Sequence, residues 1–221
     1  MKLRDRIGIP VIWQQRLTWA MEISLVGMFF VGLYEQHVGI IINTGLGILV
    51  TQLPPLLRRD YEVPMDPALT LWITSAVFLH ALGVIGLPGT GSFYRTVPGY
   101  DHITHVLSAT VVAAVGYATA RSFDLHDEDV VLPPRFMFVF ILLFVMAFGV
   151  LWEVLEFSLD QLASMGGPHI LSQHGLEDTM LDLIFDTIGA VVVAVWGTAY
   201  LTDVVGAVAA YFDTERATRG D

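Results

Sequence analysis

Cysteine is absent and lysine occurs once. The first absence excludes disulfides and thiolate chemistry, thiolate metal ligands included. Charge is also scarce: 15% of the 221 residues are charged, 54% are hydrophobic, and mean hydropathy is +0.63. So little charge excludes an ordinary soluble domain and predicts a multi-pass membrane protein. The chain has no internal repeat, low-complexity tract or linker, and reads as a single transmembrane domain over 1–221 with no room for a separate soluble one. The net charge of −11 argues against nucleic acid as a partner. An acidic, lysine-poor surface suits a salt-rich cytosol that screens its self-repulsion, and predicts a halophilic archaeal source.

Apolar runs between helix breakers predict an all-α, polytopic membrane helix bundle of about six transmembrane helices. Their approximate bounds are 16–34, 37–53, 67–87, 101–120, 135–157 and 178–201. Pro54-Pro55 closes the second span and Pro88-Gly89 the third, while Asp66-Pro67 opens the third as N-cap and first helical residue. Residues 159–177, rich in Gly, Ser and His, read as a loop. The basic N-terminus has no small-residue cleavage site, so it reads as leading into a first span and not as a cleaved signal. With the N-terminus inside, Lys2, Arg4, Arg6, Arg16, Arg58, Arg59, Arg121, Arg135, Arg216 and Arg219 are cytoplasmic and only Arg95 is external. That bias predicts N-in, C-in topology in the cell membrane.

Against this background, three stretches place ionisable residues where a bilayer disfavours them. They are Tyr100 to His105, Trp152 to Asp160 and Asp178 to Asp186. Under the predicted topology all three lie at the extracellular ends of spans. Asp178, Asp182 and Asp186 share a helix face at i, i+4, i+8; Glu153, Glu156 and Asp160 do so at i, i+3, i+7. Asp101 and His105 are one turn apart. At 1.5 Å per residue, His105, Glu153 and Asp186 fall about 6, 10 and 12 Å inside their helix ends, roughly a third of the way into a ~30 Å core.

Simpler readings exist for each residue alone. Asp178 or Asp101 can cap a helix, buried carboxyls can share hydrogen bonds between helices, and His105 can bond a backbone carbonyl. His80, isolated on an apolar span, reads equally well as packing, and His102 points partly away from the other groups. Coincident depth favours a shared site, with Asp101, His105, Glu153, Glu156, Asp178, Asp182 and Asp186 as candidate metal ligands. The implied cofactor is a divalent metal ion: Mg, Mn, Ca or Zn. Glu156 and His105 are the candidate catalytic groups, activating water beside the metal. Asp160 reads as interfacial, and His169 and His174 as outer-loop residues able to cover the site.

Asp-x-x-x-His at Asp101 and His105, a Glu in the next span, and Asp-x-x-x-Asp-x-x-x-Asp-x-x-Gly from Asp178 to Gly189 resemble the VanZ-like and YjdF-like integral-membrane families. The similarity covers roughly residues 95–205. The VanZ pattern carries an Asn near the position of Asp186, so the aspartate is a departure. The resemblance implies a membrane site made from these residues and supplies no reaction. Three functions follow: a metal-dependent hydrolase or transferase acting on a lipid-linked substrate or headgroup; a cation or proton transporter; or a structural polar network. Membrane lipids are the expected partners, and the sequence is silent on oligomeric state. The inner halves of the last three spans are apolar, which disfavours a transport path.

Overall fold

The structure, a computed structural model, describes residues 8–86, 91–127, 129–166, 175–197 and 201–219, with side chains to Phe212 in the last stretch. The described residues form nine helices and one isolated antiparallel bridge, Gly86 to Ser92. The fold is the expected all-α membrane bundle. Among the described residues, five helical stretches are long and apolar enough to cross a bilayer: Val11–Glu35, Val38–Asp60, Tyr100–His126, Pro134–Ser164 and Leu176–Trp196.

Helix α1 (Val11–Glu35) ends where Gln36 turns left-handed, with φ 55°, and α2 (Val38–Thr51) starts immediately after it. The His37 ring accepts the Ile40 N–H at 3.2 Å and caps α2. Gly32 makes this turn possible, because a Cβ there would stand 2.9 Å from Ile40 Cγ2. Pro54-Pro55 breaks the helix as expected but then occupies the first turn of a new helix, α3 (Leu53–Asp60). Proline is tolerated there because first-turn N–H groups have no intrahelical acceptor.

Helix α4 (Pro67–Gly83) begins as the sequence predicts, with Asp66 accepting the Leu69 N–H at 2.9 Å. It stops four residues short of the expected end, and the Pro88-Gly89 stop lies outside the described residues. Next come the single turn α5 (Phe93–Thr96) and α6 (Tyr100–His126). Helix α6 runs past the expected 120, and an Arg121–Asp124 ion pair joins positions one turn apart in the added stretch. Helix α7 (Pro134–Ser164) likewise overruns its bound, so 159–164 is helix and not loop. Helix α8 (Leu176–Trp196) ends before the expected 201, and α9 (Thr202–Arg219) was not foreseen.

The core joins α6, α7, α8 and α9 through Ala109, Ala113, Tyr117, Ile141, Val145, Ala190, Val193 and Val205. Small residues set the α6–α8 spacing. A Cβ at Gly189 would lie 2.6 Å from the Val106 carbonyl oxygen and 2.8 Å from Ala109 Cβ. Large apolar side chains such as Ile23, Phe30, Leu143 and Leu151 are exposed around the outside, as on a lipid-facing surface. Alternating helix directions gather the starts of α6 and α8, the ends of α1, α4 and α7, and the start of α2 at one end of the bundle.

Candidate functional site

At that end α6, α7 and α8 turn their polar faces toward one another. His105, one turn into α6, is buried against α8, where Gly189 has already brought the two helices close. Its Nδ1 lies 3.2 Å from Asp186 Oδ1. The opposite nitrogen, Nε2, lies 3.7 Å from Asp101 Oδ1 and 3.8 Å from Asp182 Oδ1. One donor atom each from Asp101, His105 and Asp182 lies within 4.8 Å of the others, so this group can hold a metal ion.

Asp182 is the most enclosed of the set. It is 1% exposed, and its Oδ1 makes no hydrogen bond. The His102 Nδ1 stands 3.7 Å from that oxygen and also lacks a hydrogen bond, while the ring stacks on Phe185 at 4.3 Å. A buried carboxylate oxygen with no donor is costly unless a cation or proton satisfies it.

Helix α7 supplies the third side. Glu153 and Glu156 are both buried, although α7 is otherwise exposed to lipid along much of its length. Glu156 accepts the Trp152 indole N–H at 3.1 Å and lies within electrostatic reach of Glu153, His105, Asp101 and Asp182. Both Glu153 oxygens lack a hydrogen bond of standard geometry, with Thr179 facing them at looser range. Asp178, in the first turn of α8, is half-buried and within reach of Glu153 and Asp182. The structure therefore brings all seven predicted ligands into one cluster, with Asp101, His105 and Asp182 at its centre.

Neither Asp101 nor Asp178 is an N-cap. Gly99 and Gly175 hold those positions, with φ 74° and 104°, and neither helix has a side-chain cap. Asp160 lies toward the end of α7 and makes no contact with the cluster among the described residues. His169 and His174 lie outside the described residues.

His80 belongs beside the site, which the sequence left undecided. Its Nδ1 pairs with the Tyr94 hydroxyl at 2.8 Å, and its ring meets Trp152 edge-on at 5.2 Å. Tyr94 sits in α5, outside the spans. Burial, and then the nearby Asp101 charge, pushes its phenol well up, so it remains a protonated donor at neutral pH. Tyr100 secures the same corner by donating to the Leu79 carbonyl at 2.6 Å. Sequence reasoning missed Tyr94 because four-residue α5 carries no periodic signal.

The opposite end of the bundle is chemically separate. Glu22, Gln52 and Arg58 line a second cavity of about 400 Å³ there. Between that end and the cluster lies the apolar core of Ala113, Tyr117, Ile141 and Val145.

The comparisons with known proteins agree with the membrane assignment. A Thermotoga maritima protein described as uncharacterised is 34% identical over 124 residues, covering 56% of this chain and 58% of that relative. No solved structure matches. The family model for predicted membrane proteins of the DUF2238 group matches residues 16–203, which include every helix from α2 to α8 and every residue of the cluster. The chain is therefore a multi-pass membrane protein of the DUF2238 family.

Proposed function

We propose that the Asp101–His105–Asp182 group binds a divalent metal ion and that the protein is a metal-dependent hydrolase or transferase acting on a lipid-linked substrate. The observation that carries this reading is Asp182 Oδ1, buried without a hydrogen bond and converging with donors from a second helix. The neighbouring residues take distinct roles. Asp186 receives the Nδ1 proton of His105 and so turns Nε2 toward the ion, a common support for metal-bound histidine. Glu156, steadied by Trp152 and outside the three-residue group that would hold the ion, suits a general base toward water. His105 then serves as a ligand. Glu153 and Asp178 complete an acidic wall with room for further coordination or a second ion. The metal polarises a phosphoryl or acyl oxygen.

The basic-residue bias along the sequence supports a site facing the extracellular side. The VanZ-like and YjdF-like resemblance supports a site made of these same residues. The salt-rich source suggested by composition fits a net charge of −11. Transport is the weaker reading, because the core beneath the cluster is apolar. A purely structural network is separable by turnover.

Metal analysis of purified protein tests the proposal. Wild type is expected to retain a divalent metal, and Asp182→Ala to lose it. Glu156→Ala should retain the metal while losing turnover of a lipid phosphate. A metal-free wild type, or metal content unchanged in Asp182→Ala, would defeat the reading.

A further inference from the structure

A cavity of about 350 Å³ reaches the cluster at His105 and Asp186 and runs between α2, α4, α6 and α7. Its volume lies in the range of ligand sites, about 300–1,000 Å³. Polarity divides it lengthwise. His80, Thr104, His105, Trp152 and Asp186 line the end at the cluster, Asn43 and Ser108 follow, and Leu46, Val50, Val77, Val112, Val145 and Phe148 line most of the remainder. From His105 to Val112 along α6, and from Trp152 to Val145 along α7, is seven residues, or about 10 Å. That is roughly two-thirds of one leaflet of a ~30 Å hydrocarbon core.

The cavity also has a side entrance. Helix α2 packs on α1 and α4, whereas α7 packs on α6 and α8, so among the described residues no closely packed seam joins α2 to α7 along this edge. At that edge Leu46 and Phe148 are 52% and 49% exposed. In a bilayer such an edge faces acyl chains, and an apolar void of this size does not stay empty beside them. The His80 Nε2, buried and without a hydrogen bond, marks the polar end as ready to meet a headgroup.

We propose that this cavity holds the hydrocarbon chain of a phosphate-bearing lipid, admitted sideways between α2 and α7, with its head at Asp101, His105 and Asp182. The phosphate rests on the metal reading above, since the acids alone would repel an anion and a bound divalent ion attracts one. The chain in the cavity rests on shape and polarity alone.

The test uses the full protein in lipid nanodiscs, with dodecyl phosphate carrying a terminal diazirine as probe. Irradiation should label α2 and α6 near Leu46, Val50 and Val112. Unlabelled dodecyl phosphate should suppress the labelling, and inorganic phosphate should not. Val112→Trp should reduce it by about tenfold or more by filling the cavity, with bound metal unchanged. Leu46→Trp, at a half-exposed position that accommodates the ring, should do the same and guards against a misfolded first variant. Labels spread over the outer faces of α1 and α7, insensitive to both tryptophans, would overturn the proposal whatever the metal content. A dodecyl trimethylammonium probe labelling the cavity better than the phosphate would overturn the phosphate head and the metal reading together, leaving an amphiphile site of opposite charge.

Discussion

The two nitrogens of His105 face different carboxylates, Asp186 on one side and Asp101 and Asp182 on the other, and this gives the sharpest test at single-residue scale. If Asp186 only orients the ring, Asp186→Asn should keep the fold and weaken metal affinity by about 10–100-fold, the usual effect of losing such a support. Isothermal titration with Mn²⁺ measures this, and an unchanged affinity would remove Asp186 from the arrangement. The His80–Tyr94 pair sets a second expectation. Tyr94→Phe removes the hydroxyl's contacts with both the His80 ring and the His80 carbonyl and should cost about 1–3 kcal/mol of stability, read from thermal unfolding. The acidic and histidine cluster was legible in the sequence because carboxylates are so costly in apolar helices that their positions and depths stand out. The Asp186–His105 pairing was not, since spacing shows that a residue faces the site but not which nitrogen it meets. Tyr94 illustrates the same limit: its partner His80 is 14 residues away across a break no pattern bridges.

Among the helices, the α6–α8 seam positions the site. Gly189 allows the Val106 carbonyl and Ala109 to approach, and His105 reaches Asp186 one turn nearer the cluster end. Gly189→Leu should therefore destabilise the protein by about 1–3 kcal/mol and also reduce metal retention, because the two helices must part. Thermal unfolding with and without chelator separates the two effects. A stable variant with normal metal content would show that the seam does not set the ligand geometry. Span positions were readable from hydropathy, and Asp66-Pro67 gave the start of α4 to the residue. The ends were less so. Helices α6 and α7 outrun their apolar stretches because once a helix is packed, polar residues such as Arg121 and Asp124 continue it through local pairs. Helix α9 escaped notice because its apolar and polar residues are mixed, although Val205 and Ser122 tie it to the inner part of α6.

For the whole molecule, the absence of cysteine turns the chain into its own topology reagent. Single Asp160→Cys and Arg58→Cys variants place a lone thiol at opposite ends of the bundle. A membrane-impermeant maleimide should label the first on intact cells and the second only after permeabilisation. Equal labelling of both on intact cells, or the reverse pattern, would defeat the N-in arrangement. Metal should also stabilise the fold as a whole: at 100 times its dissociation constant a ligand adds about 2.7 kcal/mol, visible as a lower Tm after chelation. The gathering of buried acids and histidines at one end was legible from sequence as soon as the spans were placed. The cavity was not, because it lies where α2 and α7 are not closely packed, and a sparse helix contact leaves no trace in either helix alone.

That unsealed α2–α7 edge bears on how the protein is handled. A detergent monomer has the same form as the proposed ligand: one alkyl chain with a polar head. Micellar solubilisation therefore surrounds the entrance with competitors at millimolar levels, and the shorter and more mobile their chains, the more readily they enter. Activity lost on extraction and regained in polymer-bounded native discs would reflect occupancy of the cavity and not unfolding. Apparent inhibition should then follow detergent chain length more closely than detergent headgroup.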